Sequence, residues 1–463
     1  MKHLLYVLAL LCLALPAIKT RGDDIALGLP FRDNMVLQRG IELPVWGIAT
    51  PGASIRVDYD GQRKTATADE DGNWRVKLDP LRAAKLESPS QVPEGTTLTV
   101  TAEHNGEQRS MKLSNLVVGD VWLCGGQSNI AGKLKGSGTY QGERADYPGF
   151  RHFTPTDGGG WTVCTPDREG AGEFKRTAFY FGRDVYKQSL IPIGLVTTAV
   201  GGSNIESWLN REPYETGKNY TNLVEPIVGL GIRGVVWYQG ESNANKATPY
   251  RPLLTSLIKG WRAAWGQGDL PFYYVQLPGY GERTNQLGDK RVGWPPLRQA
   301  QLETLSIDKT GMAVTIDIGH KSIHPPNKVD TGKRLARLAL HHDYGFDDLV
   351  PTGPLYASHV IDGRSVRVQF KYGEGLMLAD KQGIDPPMPS EQTKLQSVWL
   401  QDEAGDWHAG EGVIEGEELV IRSKGVTRPV AARYAYVPHP AGPLLYNKDG
   451  LPASPFETPE TGE

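Results

Sequence analysis

A serine hydroxyl becomes a nucleophile only when a base takes its proton, so the first question is where serines and histidines can meet. Gly125-Gly126-Gln127-Ser128-Asn129 directly follows an apolar run, 117–124, with the look of a strand. Glycines on that turn let a serine stand outside a sheet edge, where open α/β sheets bind ligands. The turn is not a G-x-S-x-G elbow, because Ile130 stands where the last glycine would be. Two further apolar runs end alike: 193–200 enters Gly201-Gly202-Ser203-Asn204, and 235–238 enters Gln239-Gly240-Glu241-Ser242-Asn243. Parallel strands would bring all three ends to one edge, with backbone N–H groups and a side-chain amide near a developing oxyanion. The fourth piece is Ser322-Ile323-His324-Pro325-Pro326-Asn327-Lys328. It places His324 in a loop at the same edge, within reach of Ser128. His320 and His324 make a poor metal pair. Their spacing needs a helix, which Pro325-Pro326 opposes, and no glutamate stands between them as H-E-x-x-H requires. No metal and no cofactor are expected.

These blocks need a sheet to carry them. Predicted strands at 117–124, 193–200, 232–238, 272–277 and 312–318 are separated by predicted helices around 174–185, 251–264, 296–305 and 329–340. Alternating apolar strands and helices imply a parallel sheet covered on both faces. Residues 24–115 read as all-β: Ile55–Tyr59 and Trp74–Leu78 alternate, and Asp60-Gly61 and Asn105-Gly106 are hairpin signals. After about 350 the pattern returns to short strands, including 366–370, 397–400, 419–421 and 432–436. The expected division is a leader at 1–23, a β-domain at 24–115, a catalytic domain at 116–345, a second β-domain at 346–445 and a loose tail at 446–463.

Composition narrows the function. The 463 residues carry 50 basic and 53 acidic side chains, a net charge of −3, which argues against a polybasic nucleic-acid or membrane-surface binder. Fifty-five glycines and 33 prolines exceed the usual ~7% and ~5%, so turns dominate over long helices. A basic start at Met1-Lys2-His3, an apolar run from Leu4 to Ala17, then Lys19 and Arg21 fit a secretory leader. The run is too short to span a bilayer comfortably. A secreted or periplasmic protein with no membrane segment in its mature chain is expected. Cys124 and Cys164 are the cysteines outside the leader, and the sequence does not decide whether they pair.

GGQSN, GGSNIESW (201–208), WYQGESNA (237–244) and IHPPNK (323–328), in this order, resemble the sialate O-acetylesterase family. That family is a branch of the SGNH (GDSL-like) hydrolases with relatives acting on acetylated plant polysaccharides. The resemblance covers about 25–445. It implies an α/β fold, a flavodoxin-like SGNH core flanked by N- and C-terminal β-sandwich-like domains. It also implies a serine carbohydrate O-acetylesterase whose partner is an acetylated sugar or polysaccharide. Ser128 matches the nucleophile and His324 the general base. Ser128 N–H, Gly202 N–H and the Gln239 amide match the oxyanion hole. Trp208 and Glu206, in the second block, are candidates for substrate binding. The sequence departs from the family where many SGNH hydrolases carry an Asp two or three residues before the His: Ser322 and Lys321 stand there. The group orienting His324 is left among a backbone carbonyl, Ser322, Asp317 and Glu241, and a Ser–His dyad is admissible. Ile130-Ala131-Gly132-Lys133 also departs from the family pattern. A short-chain, aryl or lipid esterase is the alternative within the enzyme class; a non-catalytic carbohydrate-binding protein is the alternative outside it.

Overall fold

In the computed structural model, residues 25–136, 146–157, 159–167, 169–246, 249–288 and 291–459 are described; the expected leader at 1–23 lies outside them. The two hairpin signals act as expected. Asp60 and Gly61, and Asn105 and Gly106, all have positive φ, the backbone of a tight hairpin turn whose twist matches its strands. They join Ser54–Tyr59 to Gln62–Thr67, and Thr96–His104 to a strand of twenty residues, Glu107–Gly126 (β1).

β1 carries the architecture. Its first half is mostly exposed and pairs antiparallel with Thr96–His104 in the β-domain. Its second half is buried almost without interruption and becomes the centre of a parallel sheet. The other parallel strands are Tyr147–Phe153 (β2), Ile193–Ala199 (β3), Gly234–Tyr238 (β4), Phe272–Val275 (β5) and Thr310–Ala313 (β6), in the order β2-β3-β1-β4-β5-β6. Every residue of β4 and β5 is buried, as in a parallel sheet covered on both faces. Helices Arg176–Ser189 (α1) and Lys328–Asp343 (α2) pack against each other so closely that a Cβ on Gly332 would lie 2.4 Å from the Tyr180 Cβ. Tyr250–Trp265 (α3) brings Trp261 against Gly125 of β1. The fold is the expected α/β core with flanking antiparallel sheets.

Several expected boundaries move. The division at 115/116 falls inside β1, and one continuous apolar core joins Ile55, Val57 and Trp74 to Leu123, Val196 and Trp237. The N-terminal β-strands therefore share their interior with the parallel sheet. The tail from 446 is not loose where described: Leu451, Ala453 and Phe456 are buried, and Phe456–Glu457 pairs with Pro429–Tyr434. The strand expected at 312–318 ends at Ala313, because Ile316–Ile318 turns into a 3₁₀ helix that delivers Asp317 to Arg334 of α2. β2 was not expected at all. A second core, around Val368, Leu400, Ile421 and Phe456, belongs to the C-terminal β-domain. The buried Arg298 guanidinium ties that domain down by donating to the carbonyls of Leu277 and Pro278 on one side and Val437 and Pro438 on the other. Cys124 and Cys164 are buried thiols, not a disulfide. Among the described residues no helix is long and apolar enough to cross a membrane.

Candidate active site

The three glycine-rich turns lie level. Gly126 is in register with Ala199 of β3 on one side and Tyr238 of β4 on the other, at the point where strand order reverses around β1. Pairing continues past the strand ends, Val200 N–H donating to Gly126 O and Gln127 N–H to Tyr238 O. Only glycine fits at 126: φ is +140°, and a Cβ would stand 2.0 Å from Tyr238 O. Ser128 therefore opens a one-turn helix, Ser128–Ala131, just beyond the sheet edge, with its side chain half-buried.

His324 arrives from the segment between β6 and α2. Asn327 caps α2 by accepting from Asp330 N–H at 3.0 Å, the ordinary way an Asn starts a helix. The residues ahead of that cap are consequently a loop, which leads the imidazole to Ser128. Nε2 of His324 lies 2.9 Å from Ser128 Oγ, and the ring is exposed. A hydroxyl at that distance from a neutral imidazole can give up its proton to it. On the other side of Ser128, a Cβ on Gly201 would be 3.9 Å from the serine Cβ, and Gly202 holds φ +71° with open space around it.

The comparisons with known proteins fall on this arrangement. Residues 118–341 match the family model described as carbohydrate esterase, sialic acid-specific acetylesterase. The chain is 25% identical to the sialate O-acetylesterase of Homo sapiens, over 96% of this chain and 95% of that protein, and 28% identical to that of Mus musculus, over 93% and 94%. The structure of a carbohydrate acetylesterase from Xanthomonas citri superposes with a TM-score of 0.81 at 32% identity, covering 94% of this chain and all of that one. The chain belongs to the sialate O-acetylesterase family of carbohydrate esterases. It is a carboxylic ester hydrolase.

Within this esterase some expected residues do other work. Gln239 is fully buried, and both its amide hydrogens are committed, to Ser203 O at 3.2 Å and Asn243 Oδ1 at 2.8 Å. Its Oε1 accepts from Tyr250. An amide so engaged offers no spare donor to an oxyanion; it braces the 201–204 turn. Trp208 is also fully buried and meets Trp237 edge-on at 5.7 Å. It cannot stack on a sugar, and its indole N–H donates to Ser203 Oγ. Glu206 is half-buried and accepts from Asn243 Nδ2 at 2.9 Å.

The three side-chain candidates for orienting His324 do not reach its ring. Asp317 is held by both arms of Arg334 and by Tyr446. Glu241 accepts from Asn129 Nδ2 at 2.5 Å. Ser322 Oγ accepts from the His324 backbone N–H at 3.2 Å, not from the imidazole. Among the described residues His324 Nδ1 has no hydrogen-bond partner.

Sequence reasoning passed over the side chains that join the blocks. Asn243 links the second and third, taking Ile205 N–H and the Gln239 amide on its Oδ1 while donating to Glu206. Asn129, next to Ser128, donates to Glu241 and to Ile323 O at 3.1 Å, and accepts from Lys328 Nζ at 2.6 Å. Burial raises the Glu241 carboxyl above its ordinary range and lowers Lys328 to about 7, each opposed by the other's charge. The signal was in view: both asparagines and the lysine lie inside the motif blocks.

Proposed function

We propose that the chain is an exported serine esterase that removes acetyl groups from sugar hydroxyls through an acetyl-serine intermediate. The observation that carries it is the Ser128 Oγ to His324 Nε2 contact of 2.9 Å at the switch point of the sheet. His324 takes the Ser128 proton while Oγ bonds to the acetyl carbon, and the carbonyl electrons move onto oxygen. The backbone N–H groups of Ser128 and Gly202 hold that oxyanion. As it collapses, the bond to the sugar oxygen breaks and His324 returns the proton to the leaving hydroxyl. Water then attacks the acetyl carbon, giving its proton to His324, and acetate leaves as Ser128 recovers its own. Residues 1–23 are removed on export. The substrate class, an acetylated sugar or polysaccharide, follows from what the relatives are named for and from an exposed histidine that leaves the site open to a bulky alcohol.

The test is acetate release from 4-nitrophenyl acetate and from acetylated sialosides, xylans and pectins. Ser128→Ala and His324→Ala are each expected to lower kcat by about 10³-fold or more, and butyryl and longer esters to be turned over far more slowly than acetyl. A preference for long acyl chains identifies a lipase instead. A folded wild type with no ester hydrolysis leaves a carbohydrate-binding protein.

A further inference from the structure

An imidazole that works as a base needs a fixed tautomer and direction, usually supplied by a carboxylate at Nδ1. Here the direction has another source. The loop bearing His324 is bonded on both sides of that residue to one side chain, Asn129. Before the histidine, Ile323 O accepts from Asn129 Nδ2; after it, Lys328 Nζ donates to Asn129 Oδ1. Pro325 and Pro326, with φ locked by their rings, span the interval between these two anchors. The amide has a single workable orientation. The Ile323 carbonyl can only accept, so the NH2 of Asn129 must face it, and the amide oxygen is left to face Lys328 Nζ. Thr177 Oγ1 of α1 fixes the Asn129 backbone by donating to its carbonyl at 2.8 Å. Because Asn129 follows Ser128 directly, the group that sets the loop also moves with the nucleophile.

We propose that Asn129 is a positioning residue: clamped by Glu241 and Lys328, it fixes the loop on both sides of His324 and so sets the imidazole on Ser128 without a carboxylate at Nδ1. The proposal rests on the Ser128–His324 reading above. Its test uses Asn129→Asp, Asn129→Ala and Lys328→Met, each made alone and on a His324→Ala background, with circular dichroism to establish folding. Asn129→Asp keeps an acceptor for Lys328 but loses the bond to Ile323 O. Lys328→Met leaves the amide and removes only the anchor behind the histidine, so it decides the matter if an Asn129 variant does not fold. On 4-nitrophenyl acetate the single variants are expected to lose about 100-fold in kcat, with KM within about threefold. On the His324→Ala background the same changes are expected to alter the residual kcat less than about twofold, because a group acting through histidine has nothing left to act on. An unchanged kcat in the folded single variants overturns the proposal, and so does a loss that multiplies fully on the His324→Ala background. If Ser128→Ala or His324→Ala itself keeps wild-type activity, the Ser–His reading fails first.

Discussion

Asp317 is the residue nearest in sequence to the position where an orienting aspartate would be sought, and the structure gives it a different task. Its carboxylate accepts from Arg334 Nη1 and Nη2 at 2.6 and 2.7 Å, fully buried, with Tyr446 on the same group. Removing one member of such a pair leaves the other charge buried and uncompensated, at a cost of about 3–5 kcal/mol. Asp317→Asn is therefore expected to lower stability in urea titration by about that amount, while kcat of the folded protein stays within about twofold of wild type. A kcat as low as that of His324→Ala would make Asp317 the third triad member after all. This residue also shows where the sequence stopped being legible. Ser128 and His324 could be placed together because each ends an element whose direction is readable. Asp317, Gln239 and Trp208 sit equally close to the motifs, but sequence proximity does not tell which way a side chain points. Trp208 points into a tryptophan cluster with Trp237 and Trp261. The partner of Asn129 at Lys328 is 199 residues away, so only the fold could reveal it.

At the scale of elements, the strand ends set the site, and they tolerate little. Gly126 must pass under Tyr238 O with φ +140°. A methyl group there meets backbone, not a flexible side chain, so β1 and β4 have to separate or the turn has to change shape. Gly126→Ala is expected to cost about 2–6 kcal/mol in chemical denaturation, the sum of backbone strain and overpacking. It should also lower kcat on 4-nitrophenyl acetate at least tenfold, because Ser128 moves with the turn; stability and kcat both close to wild type would show that the turn is not the constraint. Strands β4 and β5 were readable as uninterrupted apolar runs, and β3 as one broken only by Thr197 and Thr198. β2 was not, because Tyr147–Phe153 contains proline, glycine, arginine and histidine. Its arginine is accommodated by contacts no local pattern encodes: buried Arg151 donates to Asn34 O and Asn115 O, in the β-domain and at its junction with the sheet. The same kind of long-range demand ended β6 early, since Asp317 had to reach α2.

The molecule as a whole carries a consequence of burying those residues. His152 of β2 is fully enclosed, its Nε2 3.0 Å from Thr197 Oγ1 and its ring stacked on Phe174. Burial, with Lys175 and Lys133 acting in the same direction and Glu173 against them, lowers its imidazole to about 3. His439, at the seam where the C-terminal β-domain meets the 279–281 loop, is likewise lowered to about 4, chiefly by burial. In the unfolded chain each ring titrates near the ordinary histidine value, about 6.5. Between that value and the folded one, the unfolded chain binds a proton that the folded chain excludes. Stability therefore rises with pH through this window and is lost as pH falls below about 6.5. One such group gives a limiting slope of about 1.4 kcal/mol per pH unit. Urea titrations at pH 7, 6, 5 and 4.5 are expected to show that decline before most carboxylates protonate. His152→Gln keeps a hydrogen-bonding group for Thr197 but cannot titrate, so it should flatten the decline by up to about 1.4 kcal/mol per unit. An identical slope in the variant would mean that His152 takes up its proton without unfolding the sheet. Because the β-domain and the catalytic sheet share one core, the protonation that loosens β2 should remove ester hydrolysis and the near-ultraviolet signal of the buried tryptophans in one transition. Separate transitions would show that the shared interior does not bind them into one cooperative unit.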